Sequence, residues 1–308
     1  MRLKDVEMVV NLAGVRLANP SVLASGILGY STETLGTIVE GGAGGVVTKS
    51  VGLKPREGYA NPTVVQTSCG LINAMGLPNP GIDEYVKELH QAKASIKVPL
   101  IVSVFGYSAE EYAAIAGKAV VAGGDAVELN VSCPHVKDTG SEIGQNKEVL
   151  TAVVRKVKAS IDKPVFVKLS PNVTSIVEVA EAAMMAGADG LTVTNTVKAM
   201  AVDIETAMPI LGNRVGGLSG PAMKPIALRC VYDAYERVKI PIMGCGGIMD
   251  WRDAVEYLLV GASAIQIGTA VSLKGRDVFS KITRGIEKYL KIKGFRSVED
   301  VVGLSHRR

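Results

Sequence analysis

The sequence predicts an α/β fold, a (β/α)8 TIM barrel with a short N-terminal β-hairpin and long βα loops over its C-terminal face. Three observations carry that expectation. Strand-like apolar runs recur at residues 21–25, 45–50, 100–105, 126–131, 165–170, 191–195, 242–245 and 264–268, each bounded by Gly, Pro or a polar residue. A stretch of helical period follows each of them, at 32–40, 81–94, 109–122, 147–161, 176–186, 222–238, 251–260 and 271–289. The runs are predominantly apolar or β-branched, as suits parallel strands buried on both faces, and parallel strands need crossover helices. No composition shift or linker divides the 308 residues, so one barrel domain over 1–308 is expected.

Along the chain, MVVNLAGVRLANP reads as the hairpin, with apolar residues on both sides of Ala13 and Gly14. Several helices then end in small-residue turns, at Gly41-Gly42, Gly123-Gly124, Ala186-Gly187 and Gly261-Ala262, where glycine suits a left-handed stop. Three connections exceed the roughly two to six residues usual for this fold: 51–80, 133–146 and 196–220. The first is rich in Asn, Gly and Pro, the second is polar and suits a lid, and the third contains GNRVGGLSG. Long connections in compact folds more often carry function than ornament.

Composition narrows the function classes. Hydrophobic residues make up 47%, charged 21% and aromatic 5%, a globular profile. The net charge of +4 is spread without a like-charged block, so neither nucleic acid nor an anionic membrane is expected as a partner. No apolar run approaches the roughly 18 residues of a spanning helix, and MRLKDVEMVV has no signal-peptide core, so a soluble cytoplasmic protein is expected. Cys69, Cys133, Cys230 and Cys245 form no CxxC pair, and His90, His135 and His306 show no ligand spacing. No metal site and no disulfide framework is expected.

In a barrel of this kind the chemistry sits where strands end. Those ends carry Ser25, Lys49, Ser50, Ser103, Asn130, Ser132, Cys133, Lys168, Thr194, Asn195 and Thr196. Cys133, between an apolar run and Pro134, is either a reactive thiol or a buried small hydrophobe. Either lysine alone more often means a solvated end; both closing apolar strands on one rim favour a site. Gly244 to Gly247 after the seventh run, with Gly268 and Thr269 after the eighth, match the phosphate site common there in this fold.

The motifs NVSCPHV, TKSVGLKPREGYANP, INAMGLPNPG, VKLSPNV, TNT, GGLSGPAMKP and GCGGI…GASAIQIGTA resemble, in order and over nearly the whole chain, the class 1 dihydroorotate dehydrogenases, most closely the class 1B catalytic subunit. The resemblance implies an FMN-bound barrel, one FMN per chain, oxidising dihydroorotate to orotate in pyrimidine (UMP) biosynthesis. It implies Cys133 as the base that takes the C5 proton while the C6 hydride passes to the flavin; the membrane-associated class 2 enzymes use serine there. It implies Lys49, Asn73, Met75, Gly76, Leu77, Asn130, Asn195 and Thr196 as substrate-binding. It implies Ser25, Lys49, Ser50, Ser103, Asn130, Lys168, Thr194, Gly220, Gly246, Gly247, Gly268 and Thr269 as flavin-binding, with Lys168 offsetting charge at the flavin N1–C2=O edge. Ser103 departs from the family's usual asparagine, and its shorter side chain reaches a flavin or substrate less well.

The class 1B likeness further implies a partner. This chain has neither a cysteine cluster for iron–sulfur nor a GxGxxG fingerprint, so electrons would reach NAD through a second subunit carrying FAD and a 2Fe–2S cluster, in a heterotetramer built on a homodimer of this chain. The alternatives are a fumarate-using class 1A homodimer, a dihydropyrimidine dehydrogenase-like flavoprotein, a non-redox sugar-phosphate barrel, and a non-catalytic binding module that leaves Cys133, Lys49 and Lys168 unexplained.

Overall fold

The computed structural model describes residues 6–132 and 143–307. Eight parallel strands form a closed barrel: β1 (Ser21–Leu23), β2 (Gly45–Val47), β3 (Leu100–Val104), β4 (Ala126–Asn130), β5 (Val165–Leu169), β6 (Gly190–Val193), β7 (Ile242–Cys245) and β8 (Ala264–Ile267). Neighbours pair in chain order and β8 closes on β1. The register sets Ser103 beside Glu128, Asn130 beside Lys168, and Lys168 beside Thr192. Because side chains alternate across a strand, this alignment turns Ser103, Glu128, Asn130, Lys168 and Thr192 to the same, interior side. Below them Phe166 is fully buried, and a Cβ on Gly190 would lie 2.5 Å from its ring, so the glycine makes room for the aromatic plug.

Around the barrel run α1 (Thr32–Glu40), α2 (Ile82–Ser95), α3 (Ala109–Val121), α4 (Lys147–Lys158), α5 (Ile176–Met185), α6 (Lys224–Tyr235), α7 (Trp251–Leu259), α8 (Thr269–Lys274) and α9 (Val278–Lys293). Ser31, Ser108, Asn146, Ser175 and Asp250 cap their helices by accepting first-turn backbone N–H groups. Gly42, Gly123, Gly187 and Gly261, one at each expected small-residue stop, have φ of +99°, +102°, +101° and +112°. The helix expected over 271–289 is two, α8 and α9, broken at Gly275 with φ +78°. The stretch expected from 222 opens instead as a 3-10 turn, Pro221–Met223, before α6.

The expected hairpin is present as Val10–Leu12 against Val15–Leu17, and Leu17 packs against Gly45 at the start of β2. Two of the long connections are more ordered than loops. Connection 51–80 contributes Val64–Thr67 and Gly70–Asn73, and 196–220 contributes Val197–Ala199 and Gly216–Ser219; the four strands form one antiparallel sheet over the barrel's C-terminal face. Short strands rich in Gly, Asn and Thr carry too little apolar alternation to be read as sheet in advance. Most of the remaining connection, 133–146, lies outside the described residues, at 133–142. Among the described residues no helix is long and apolar enough to cross a membrane.

Candidate active site

The barrel interior just below the C-terminal rim is polar. Glu128 on β4 is fully buried; Thr192 Oγ1 donates to its Oε2 at 2.8 Å and Gln266 Nε2 donates to the same oxygen at 2.5 Å. Lys168 Nζ donates to Gln266 Oε1 at 2.9 Å and lies 3.7 Å from Glu128 Oε1, an ion pair rather than a hydrogen bond. Burial pulls the Lys168 ammonium down, but the charge of Glu128, with Cys245, holds it above its ordinary value. Thr194 Oγ1, buried one residue beyond β6, has no hydrogen-bond partner among the described residues.

Four strand ends are tied together on the other side of the rim. Ser50 Oγ lies 2.8 Å from Ser103 Oγ and 3.3 Å from Ser25 Oγ, and it accepts from Asn130 Nδ2 at 3.0 Å. Ser103 is fully buried and engages Ser50, so its short side chain serves this hydroxyl chain. Lys49, between Thr48 and Ser50, is half-buried, and no carboxylate among the described residues lies within ion-pair distance of it. Burial draws its ammonium below the usual lysine value. A partly desolvated cation without a counter-charge is an anion site in waiting.

The strand ends and long connections also carry amide side chains. Asn195 Nδ2 donates to Ser132 Oγ at 3.0 Å, its Oδ1 accepts from Thr196 N at 2.8 Å, and Ser132 N donates to Asn130 Oδ1 at 3.3 Å. Asn73 ends its rim strand and donates to Gly217 O at 3.3 Å, linking the two long connections. Met75 is exposed, while Gly76 and Leu77 have φ of +74° and +56°. That turn is held by Arg56 Nε donating to Gly76 O at 3.2 Å and Asn79 Nδ2 donating to Leu77 O at 2.9 Å. Cys133 lies outside the described residues.

The glycines after β6, β7 and β8 converge. A Cβ on Gly247 would lie 2.5 Å from Lys224 N and 2.8 Å from Gly220 O, and one on Gly220 would lie 3.4 Å from the Thr269 methyl. Gly246 and Gly247 have φ of +137° and +69°, conformations side chains resist. Thr269 Oγ1 pairs with Ser219 Oγ at 2.8 Å, and a Cβ on Gly268 would meet nothing closer than 3.5 Å. Gly220, Gly247 and Thr269 thus pack together, with Gly246 and Gly268 beside them, at the ends of β7 and β8, where this fold commonly holds a phosphate. Among the described residues no group of His, Cys, Asp or Glu could hold a metal ion.

The structure also holds functional side chains that the sequence reading passed over. Glu128 and Gln266 are polar residues inside otherwise apolar strands, VELN and IQI, and that mismatch was the available signal. Asn172, within VKLSPNV, donates to Thr196 O at 2.9 Å and accepts from Lys198 N at 2.9 Å, a tether that spacing could not reveal.

Comparison with known proteins accords with this rim. The family model described as dihydroorotate dehydrogenase matches residues 7–290. The chain is 53% identical over 298 residues, 97% of its length and 98% of the relative's, to the Pyrococcus furiosus protein named "Dihydroorotate dehydrogenase B (NAD(+)), catalytic subunit". Proteins of the same name from Methanothermobacter thermautotrophicus and Methanosarcina acetivorans are 50% and 48% identical, each over 96% of this chain and 97% and 95% of their own. With a match that spans the barrel from its N-terminal hairpin to its last helix, the chain belongs to the dihydroorotate dehydrogenase family.

Proposed function

We propose that this chain is the catalytic subunit of an NAD-linked, cytoplasmic dihydroorotate dehydrogenase, a single FMN-binding barrel domain that oxidises dihydroorotate to orotate in pyrimidine biosynthesis. The observation that carries the reading is Lys49: a half-buried cation without a counter-charge among the described residues, on a rim lined with amides. Dihydroorotate brings the missing carboxylate and a ring edged with amide donors and acceptors.

FMN fits the rest of the rim. The cluster of Gly220, Gly246, Gly247, Gly268 and Thr269 stands after the seventh and eighth strands, where this fold commonly holds a phosphate. Thr194 Oγ1, buried and without a partner among the described residues, is a polar atom that a bound group would satisfy. Ser25, Ser50, Asn130 and Lys168, with Lys49, are the side chains that would hold the ring system, while Ser103 supports Ser50 from below. When bound, FMN supplies the acceptor for the hydride leaving C6 of dihydroorotate.

The chain's own residues do the rest. Lys49 anchors the carboxylate, and Asn73, Asn130, Asn195 and Thr196 orient the ring, the amides held by Gly217 and Ser132 and the Thr196 backbone carbonyl by Asn172. Met75, Gly76 and Leu77 close one side of the substrate on a turn locked by Arg56 and Asn79. Cys133, as thiolate, takes the C5 proton. The relatives are named as NAD-linked catalytic subunits. By that kinship we assign a homodimeric core within a heterotetramer, whose second subunit carries FAD and a 2Fe–2S cluster.

A substrate screen under dye-coupled conditions tests the reading. Dihydroorotate should be oxidised and dihydrouracil, which lacks the carboxylate, should not. Equal turnover of both would remove Lys49 as the carboxylate anchor and move the protein to the dihydropyrimidine class.

A further inference from the structure

Beneath the rim, Glu128 belongs to no part of the proposed chemistry, and its side chain is fully enclosed by the barrel. An ionised carboxylate in such a place is strongly disfavoured unless paired. Its Oε2 is well served, accepting from Thr192 and Gln266, but its Oε1 has no hydrogen-bond partner among the described residues. The charge that faces Oε1 is Lys168 Nζ, 3.7 Å away and itself buried; among the described residues the other titratable group at Lys168 is the Cys245 thiol. Gln266 bridges the two, donating to Glu128 and accepting from Lys168. The amide therefore has no choice of orientation, and the lysine is held at two points. An ammonium has three donors, so at least one remains for a ligand above.

We propose that Glu128 is a positioning residue: from inside the barrel, its carboxylate anchors the Lys168 ammonium, directly and through Gln266, as the positive charge that acts on a ligand at the rim. The inference rests on the reading that FMN occupies that rim. Without Glu128, Lys168 is a buried cation with no counter-charge, and such a lysine tends to give up its proton.

Redox potentiometry of the FMN-loaded chain tests this. Glu128→Gln keeps the shape and removes the charge. Reduced FMN should then bind at least tenfold more weakly relative to oxidised FMN, a fall of about 30 mV in the two-electron midpoint. In a Lys168→Met background the same substitution should produce no further fall. A midpoint that is unchanged or raised by Glu128→Gln, or one that falls equally in both backgrounds, overturns the proposal. Should the single variant fail to retain FMN, thermal unfolding of the flavin-free full chain decides. The Glu128→Met/Lys168→Met pair should melt above either single variant, since each single leaves one buried charge unpaired; additive losses overturn the coupling. A wild-type chain that takes up no FMN would instead defeat the proposed function, and the melting comparison would still judge the pair.

Discussion

At the scale of single residues, Lys49 and Cys133 carry the proposed chemistry, and each makes a measurable claim. The Lys49→Met variant loses a charge-assisted contact to the substrate carboxylate, a class of bond contributing about 1.5–3 kcal/mol. Orotate should bind about 10- to 100-fold more weakly, as read by titrating orotate into the FMN-loaded variant and following the visible spectrum. An unchanged affinity would take the carboxylate elsewhere. Cys133 must lose its proton to act as base, and an ordinary thiol does so near pH ~8.5. Turnover should therefore climb as pH rises toward that value, and Cys133→Ser should lower it and abolish that climb; a serine variant with the wild-type profile would dismiss the thiol. Both residues were legible in the sequence because they stand at the ends of apolar runs, where an isolated lysine or thiol is conspicuous. Ser103, whose short side chain the resemblance left reaching a ligand less well than asparagine, has its hydroxyl buried against Ser50. A strand residue's direction is set by register, which the sequence does not print.

Among the elements, the substrate-side turn and the start of α7 show how local bonds set the site's frame. Asn79 is buried and serves three backbone groups at once: its Oδ1 accepts from Gly52 N at 3.2 Å and Gly81 N at 2.9 Å, and its Nδ2 donates to Leu77 O. Asn79→Ala would strand them, at about 1–3 kcal/mol for each group left buried. Denaturant melts should show a loss of about 2–4 kcal/mol, and KM should rise more than kcat falls, because the turn of Gly76 and Leu77 loosens. At α7, Asp253 accepts from Lys224 Nζ and from the backbone N–H groups of Met249 and Asp250. Burial raises its pKa, but Lys224 and the two N–H groups outweigh that and hold it below the usual aspartate value. The native state thus favours the ionised form. Its contribution is complete above the unfolded value of about 3.9 and is lost as pH falls through the lower native value. The stability deficit of Asp253→Asn should accordingly be constant near neutrality and shrink below pH ~4, a trend that urea melts across pH would show. The four-stranded rim sheet was the element least readable beforehand, since its strands are short, half-exposed and come from two connections more than a hundred residues apart. Its pairing is tertiary, joining Asn73 to Gly217.

For the molecule as a whole, the barrel followed from rhythm: eight apolar runs, each followed by a helical stretch, leave few other ways to bury both faces of a parallel sheet. The polar layer inside it did not follow, because Glu128, Lys168, Thr192 and Gln266 come from four strands and meet only after closure. The division of labour between subunits is also a property at this scale. The purified chain should reduce an artificial dye with dihydroorotate but should not reduce NAD until the FAD and iron–sulfur subunit is added; NAD reduction by the chain alone would refute that division. The central claim, that this rim brings dihydroorotate to a bound flavin, is tested most directly by an anaerobic visible spectrum of the purified chain before and after dihydroorotate is added. Flavin bands that bleach, with one orotate formed per flavin, are the expected result. Bands that persist would keep the cofactor and exclude this substrate, and a colourless chain that takes up no FMN would contradict the account at its base.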